Sequence, residues 1–176
     1  AFDAVEGKLH TCGLLVRSLQ ALFLSSDEVT AEEFQAMYDN LRPQEQFPSL
    51  QAVAFAERVA DSPDGGEHYI TTLVAPASGN DSLLGLDVAS QPANLTALRF
   101  SRDSDRPVMS APFELVQRAG MAGANDGITI RLPVFSSGMQ PRDLGERRGR
   151  EIGSLAASFR VSRLISDALP QEARER

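Results

Sequence analysis

Apolar residues in the first 23 positions recur with the spacing of a heptad helix. The intervals are 3, 4, 3, 4, 3 and 4 residues, and this seam consists of Phe2, Val5, Leu9, Cys12, Val16, Leu19 and Phe23. At about 1.5 Å per residue the helix would be about 33 Å long. Leu15 and Leu22 widen the stripe on one side, as in a helix that packs on its own domain. The pattern predicts a stalk helix over residues 1–28. It leaves open whether the seam joins two copies in a homodimer or packs within one chain.

A second helix is predicted directly after this segment. Thr30 and Glu33 have the spacing of a capping box, in which side chain and backbone satisfy each other at the helix start. Apolar residues then follow on one face as far as Leu41. Pro43 and Pro48 bracket a polar linker that a helix cannot cross.

The remaining pattern mixes short strands with helices. Alternation and β-branched content predict strands at residues 53–59, 69–74, 108–111, 128–135 and 154–161. Helical spacing predicts one helix from Pro92 to about Arg102 and a last one from Leu164 onwards. Residues 136–152 hold three Gly, one Pro and many charges, which predicts a long loop. Without regular strand and helix alternation, the fold class is α+β.

Composition excludes several classes of partner. The chain has 17 Lys and Arg against 24 Asp and Glu, a net charge of −7, and no stretch concentrates basic residues, so we expect no nucleic-acid partner. One cysteine, Cys12, and two histidines, His10 and His68, give no cluster with metal-ligand spacing, so no cofactor is expected. No apolar run approaches the length of a bilayer span. Because the sequence opens at Ala1 inside a helical pattern, we expect it to be a piece of a longer protein.

Catalytic chemistry is weakly represented. His68 beside Glu67 is the only candidate general base, and no Gly-x-Ser-x-Gly elbow occurs. We therefore expect no enzyme activity in this fragment, and a stand-alone hydrolase is the most distant of the functional alternatives.

A series of short motifs, in order, resembles the CHASE domain, the cyclase/histidine kinase-associated extracellular sensory domain. The resemblance covers residues 14 to 165, and its motifs are Phe34, FPSLQAV (47–53), Asn80, GLDVAS (85–90), Ala97-Leu98, PVMSAPF (107–113), LPVF (132–135) and FRV (159–161). It implies a stalk helix followed by PAS-like lobes in tandem, distal and proximal. The implied division is residues 1–28 for the stalk, 29–165 for the sensor region and 166–176 for the start of a helix leading to a transmembrane segment.

The resemblance also implies a location and a signalling role. Such a domain lies in the periplasm or outside the cell, between two transmembrane helices of an inner-membrane protein. It binds a small molecule and controls a cytoplasmic histidine kinase, or an enzyme that makes or degrades cyclic di-GMP. A ligand-free dimerisation or spacer module of such a receptor is the alternative from another class.

The candidate ligand-binding residues come from the same resemblance. Cytokinin-binding members contact a purine-like ring with an acidic residue, where this sequence has Asn94, and they have a small hydroxylated residue where it has Arg131. Ser110 and Val116 fall at further pocket positions. A guanidinium suits a carboxylate or phosphate, so we expect an anionic small molecule. Arg131 facing solvent or pairing with Asp126 or Glu114, and Asn94 acting as a solvent-facing or capping residue, are the alternatives.

Overall fold

The computed structural model of the chain describes residues 2–116, 126–137 and 140–168. The helices are α1 (Phe2–Ser25), α2 (Ala31–Leu41), α3 (Pro43–Gln46), α4 (Pro92–Ser104), α5 (Leu144–Arg150) and α6 (Val161–Ala168). The strands are β1 (Leu50–Arg58), β2 (Tyr69–Ala75), β3 (Val108–Met109), β4 (Gly127–Phe135) and β5 (Glu151–Arg160). Two 3₁₀ turns, Asp81–Leu83 and Val88–Ser90, lie between β2 and α4. The α+β class is confirmed.

The five strands form one antiparallel sheet in the order β2-β1-β5-β4-β3. The centre of the sheet joins β1 to β5, so that Phe55 faces Leu155 across about 100 residues of sequence. The tandem lobes implied by the resemblance are not found among the described residues. Every described strand pairs into this one sheet, and none is left to build a second.

Helix α1 packs against one face of the sheet along the part whose side chains the structure describes, from residue 7 onwards. This part does not project from the domain as a stalk. Cys12, Val16 and Leu19 are fully buried against the sheet, and Leu9 and Phe23 pack at the edge of the same core. Helix α2 adds Phe34 and Tyr38 to this layer. From Leu9 to Phe23 the seam therefore packs within the chain, and these residues are not available as a coiled-coil interface. No described helix is both long enough and apolar enough to cross a membrane.

The predicted start of α2 is confirmed, and a further short helix follows it within the predicted linker. The Thr30 hydroxyl accepts from the Glu33 amide, and the Glu33 carboxylate accepts from the Thr30 amide. The chain turns at Arg42 in the left-handed region, which allows a new short helix to begin on the proline that follows.

The predicted loop at 136–152 contains α5 and the first residues of β5. Asp143 caps the N-terminus of α5, because its carboxylate accepts a hydrogen bond from the Glu146 amide. At the other end of β5, the last helix begins at Val161, earlier than predicted, and Leu164 is buried on the α1 side of the sheet.

Candidate functional site

A small cavity lies on the sheet face opposite α1. Helix α4, residues 83–91 and residues 113–116 cover this face. The cavity volume is about 30 Å³, which is room for about one water molecule. Its apolar wall consists of Ala54, Leu83, Leu86, Phe113, Leu115, Val116 and Ala156. Its polar wall consists of Thr71, Gln91, Asn94, Thr129, Arg131 and Ser158.

Strand alternation explains why this face carries polar groups. Ile128, Ile130 and Leu132 point into the core under α1, so the intervening residues Thr129 and Arg131 point to the other face. All nine residues of β4 are buried, because both faces of the strand are covered. The arginine is therefore almost entirely enclosed by the fold.

Among the described residues that line the cavity, Arg131 is the one with a charged side chain. The residue is only 4% exposed, and its Nε donates a 2.8 Å hydrogen bond to Asn94 Oδ1. No carboxylate oxygen of the described residues lies within 4.0 Å of its nitrogens. Burial lowers the pKa of the guanidinium to about 10, opposed by the negative charge of Glu151 farther away. The side chain therefore stays charged at neutral pH.

Asn94 connects α4 to the strand that carries the arginine. Its Oδ1 also accepts a 2.8 Å hydrogen bond from Thr129 Oγ1, and its Nδ2 donates to Gln91 Oε1 at 2.9 Å. The amide is buried in the first turn of α4. These contacts place an uncharged oxygen, not a carboxylate, against Arg131.

The other two predicted residues differ in position. Val116 lines the cavity. Ser110 is buried but does not line it; its Oγ accepts from the Thr129 amide at 3.0 Å, and its own amide donates to the Thr129 carbonyl at 2.8 Å. Ser110 thus extends the pairing of β3 with β4 and acts on the cavity through Thr129.

Several cavity residues were missed from the sequence. Thr129 precedes Arg131 by two positions and so shares its strand face, a pattern that identifies it. Gln91 precedes Asn94 by three positions, at the start of the same helix. Thr71 and Ser158 come from strands far away in sequence, and no local pattern links them to Arg131.

An ionic cluster at the C-terminal end of α4, away from the cavity, holds this helix on the sheet. The Glu151 side chain is fully buried, and its Oε2 accepts from the Tyr69 hydroxyl at 2.7 Å and lies 3.9 Å from Arg102 Nη1. Arg102 also donates to Glu67 at 2.5 Å. Burial raises the pKa of Glu151 to about 7, against the opposing effects of the Tyr69 hydrogen bond and the Arg102 charge.

His68 lies between two carboxylates that hold it in place. Its Nδ1 meets Asp87 at 2.5 Å and its Nε2 meets Asp64 at 2.9 Å, and hydrogen bonds to these two carboxylates raise its pKa. Asp87 also accepts from the Tyr69 and Ala89 amides. The histidine therefore ties the β1–β2 connection to the turn before α4. Among the described residues, no group of three or more His, Cys, Asp or Glu side chains is arranged to hold a metal ion.

Comparison with known proteins identifies the family of the chain. The model of the CHASE domain matches residues 27–176. An extracellular ligand binding receptor from Desulfohalobium retbaense DSM5692 has a similar structure, with 16% identity and a TM-score of 0.53 over 93% of this chain and 25% of that one. No curated protein sequence matches the chain.

The ligand binding domain of the Pseudomonas aeruginosa PAO1 amino acid chemoreceptor PctC, in complex with GABA, aligns at 17% identity and a TM-score of 0.48, over 94% of this chain and 57% of that one. The chain thus spans a quarter of the length of the first solved structure and just over half of the second. Because the family model matches most of its 176 residues, the chain belongs to the CHASE domain family of extracellular sensory domains.

Proposed function

We propose that this sensory domain binds a small anionic ligand at Arg131, within the receptor of which it forms part. The observation that carries the proposal is the buried guanidinium without a carboxylate of the described residues in salt-bridge distance. A buried charge is stable only when it is paired or well hydrogen-bonded. Asn94 supplies one uncharged acceptor to this charge, and a ligand anion would supply the rest.

The geometry of a guanidinium favours a planar anion. Its terminal nitrogens form a rigid fork that matches the two oxygens of a carboxylate or phosphate. Nε of Arg131 is already oriented by Asn94, so the fork is held in place before a ligand arrives. Asn94 belongs to the polar wall and Val116 to the apolar wall of the same cavity, and Ser110 contributes through Thr129.

Ligand entry requires the cavity to expand. A groove of about 360 Å³ adjoins it, and both are lined by Leu86, Gln91, Phe113 and Val116. An outward shift of these wall residues joins the two spaces. A ligand that binds the expanded form better than the closed form shifts the population between them.

We propose that α1 and α6 transmit this change. The two helices pack on each other and on β5, the strand that also contributes Ala156 and Ser158 to the cavity. In the receptor they would lead to transmembrane helices in the inner membrane, with this domain in the periplasm. The output would be a histidine kinase or a cyclic-di-GMP enzyme.

The small volume of the cavity favours a second candidate function. A closed space of about 30 Å³ is also what a ligand-free spacer or dimerisation module would retain. Because Cys12, Val16 and Leu19 of the seam are buried within the chain, a dimer through α1 would use the outer face of this helix. Leu14 is 55% exposed there and Leu24 is 50% exposed.

A thermal-shift screen separates the two functions. The purified domain is tested against organic acids, amino acids, nucleotides and adenine derivatives, and each hit is repeated on Arg131→Gln. A ligand that binds only the folded state adds about 2.7 kcal/mol of stability at 100 times its dissociation constant, or about 5 to 10 °C for a domain of this size.

The matched control is Arg142→Gln, which removes the same charge from a side chain that is 78% exposed. A shift with anions that persists in Arg142→Gln and disappears in Arg131→Gln supports the proposal. Shifts that are equal in both variants contradict it, and the lack of any shift across the library favours the spacer function.

A further inference from the structure

We infer that the ligand is a short carboxylic acid that carries no amino group next to its carboxylate. The inference rests on the proposed function, because it takes Arg131 as the anion-binding residue. It is drawn from the arrangement of hydrogen-bond donors and acceptors in the cavity wall and from the position of the nearest acidic residues.

The cavity wall offers donors to a carboxylate. Arg131 Nε donates a hydrogen bond to Asn94 Oδ1. The described residues provide no hydrogen-bond partner for the two terminal nitrogens of Arg131. A carboxylate that accepts from both terminal nitrogens satisfies this fork. The charge of the ligand then compensates the charge of the buried side chain.

The strongest acceptors of the wall are already occupied. Asn94 Oδ1 accepts from both Arg131 Nε and Thr129 Oγ1, and Gln91 Oε1 accepts from Asn94 Nδ2. An ammonium group carries three donors and no acceptor. If it stood next to a carboxylate bound at Arg131, it would lie near a like charge. It would find Asn94 Oδ1 already accepting two hydrogen bonds and would have to share Gln91 Oε1 with the Asn94 amide.

An ammonium would also need an acidic residue nearby to compensate its charge. None of the described residues that line the cavity is Asp or Glu. Glu114 is exposed and lines the outer groove, while the Asp126 carboxylate accepts from the amide and hydroxyl of Ser162. Discrimination against an α-amino group therefore follows from an unpaired buried charge.

The opposite wall selects for a short apolar body. Leu83, Leu86, Leu115 and Val116 face the polar wall across a space of about 30 Å³. A compact chain of a few carbons buries its surface against these side chains with the least displacement of the wall. A purine or a nucleotide would require a much larger expansion.

Isothermal titration calorimetry at pH 7 with three matched probes tests the inference. Propanoate is the short acid, alanine adds one α-amino group to it, and propanamide keeps its shape without the charge. We expect propanoate to bind at least tenfold more tightly than alanine and at least tenfold more tightly than propanamide. The Arg142→Gln variant should retain propanoate affinity, and Arg131→Gln should lose it.

The outcomes separate the inference from the proposed function. Alanine binding as tightly as propanoate, with both lost in Arg131→Gln, overturns the inference and leaves the anion site standing. Propanamide binding as tightly as propanoate contradicts both. If none of the three probes binds, the inference is wrong, and the screen of the wider library decides the proposed function by itself.

Discussion

Arg131 Nε and Asn94 Oδ1 lie 2.8 Å apart inside the domain, so that a buried positive charge faces an amide where a carboxylate would neutralise it. The amide orients the guanidinium without removing its charge. An arginine that only stabilised the fold would gain more from an acidic partner. Under the proposed function, this relationship leaves the positive charge of Arg131 available to a ligand anion.

Replacing Asn94 with Asp tests that relationship directly. The new carboxylate would pair with Arg131 permanently, so we expect the unliganded domain to gain stability on the order of 1 to 3 kcal/mol. The affinity for propanoate should fall at least tenfold, because the anion site is then occupied from within. Thermal unfolding and calorimetry measure the two effects. Asn40→Asp, the same change at an exposed position of α2, should leave affinity unchanged, and unaltered propanoate affinity in Asn94→Asp would contradict the account.

Gly127→Ala should displace Phe113 and Leu115, two residues of the cavity wall. A Cβ at this position would lie 2.8 Å from the Phe113 carbonyl oxygen and closer still to the Leu115 side chain. The reciprocal backbone hydrogen bonds between Phe113 and Gly127 would have to shift. We expect a loss of about 1 to 3 kcal/mol in urea unfolding and weaker propanoate binding. Gly149→Ala, where an added Cβ meets no atom within 4 Å, is the matched control and should not destabilise the domain.

Glu151 should make stability fall as pH rises through the weakly acidic range. Its pKa is raised from 4.5 to about 7 by burial, so between these values the unfolded chain has released a proton that the folded domain still holds. The free energy of unfolding should therefore decrease by about 2 kcal/mol between about pH 5 and pH 6.5. In Glu151→Gln this decrease should be absent. Urea denaturation at the two pH values measures it, and an identical pH dependence in both proteins would refute the assignment.

Cys12 reports whether α1 is docked on the domain in solution. The side chain is fully buried under the sheet, and burial raises the pKa of its thiol to about 12. We expect a thiol reagent at pH 8 to modify the native domain at least a hundredfold more slowly than the urea-unfolded chain. Equal rates in the two states would mean that α1 projects as a free stalk.

Local sequence patterns predicted the individual helices and strands better than the way in which these elements pack on one another. Alternation identified β4, and a capping box identified the start of α2, because both depend on neighbours in sequence. The heptad spacing of α1 could not distinguish an intermolecular seam from an internal one, since both require the same apolar stripe. Helix α5 was missed because its charged, glycine-containing sequence buries no apolar face, and it begins through the Asp143 cap.

The candidate site was predictable in part for the same reason. Arg131 and Thr129 share a face by strand alternation, but the burial of that face depends on α4 and on residues 113–116. The contact of Asn94 with Arg131 joins residues 37 positions apart. A local sequence pattern cannot predict a contact between residues so far apart. The family resemblance identified both positions as pocket candidates but did not predict the hydrogen bond between them.

A crystal structure of the domain with bound propanoate tests the central claim most directly. We expect the two carboxylate oxygens to lie about 2.7 to 2.9 Å from the terminal nitrogens of Arg131, with the Arg131–Asn94 hydrogen bond retained. Propanoate bound only at exposed arginines, with the Arg131 cavity still closed, would contradict the claim that this residue is the anion-binding group of the sensor.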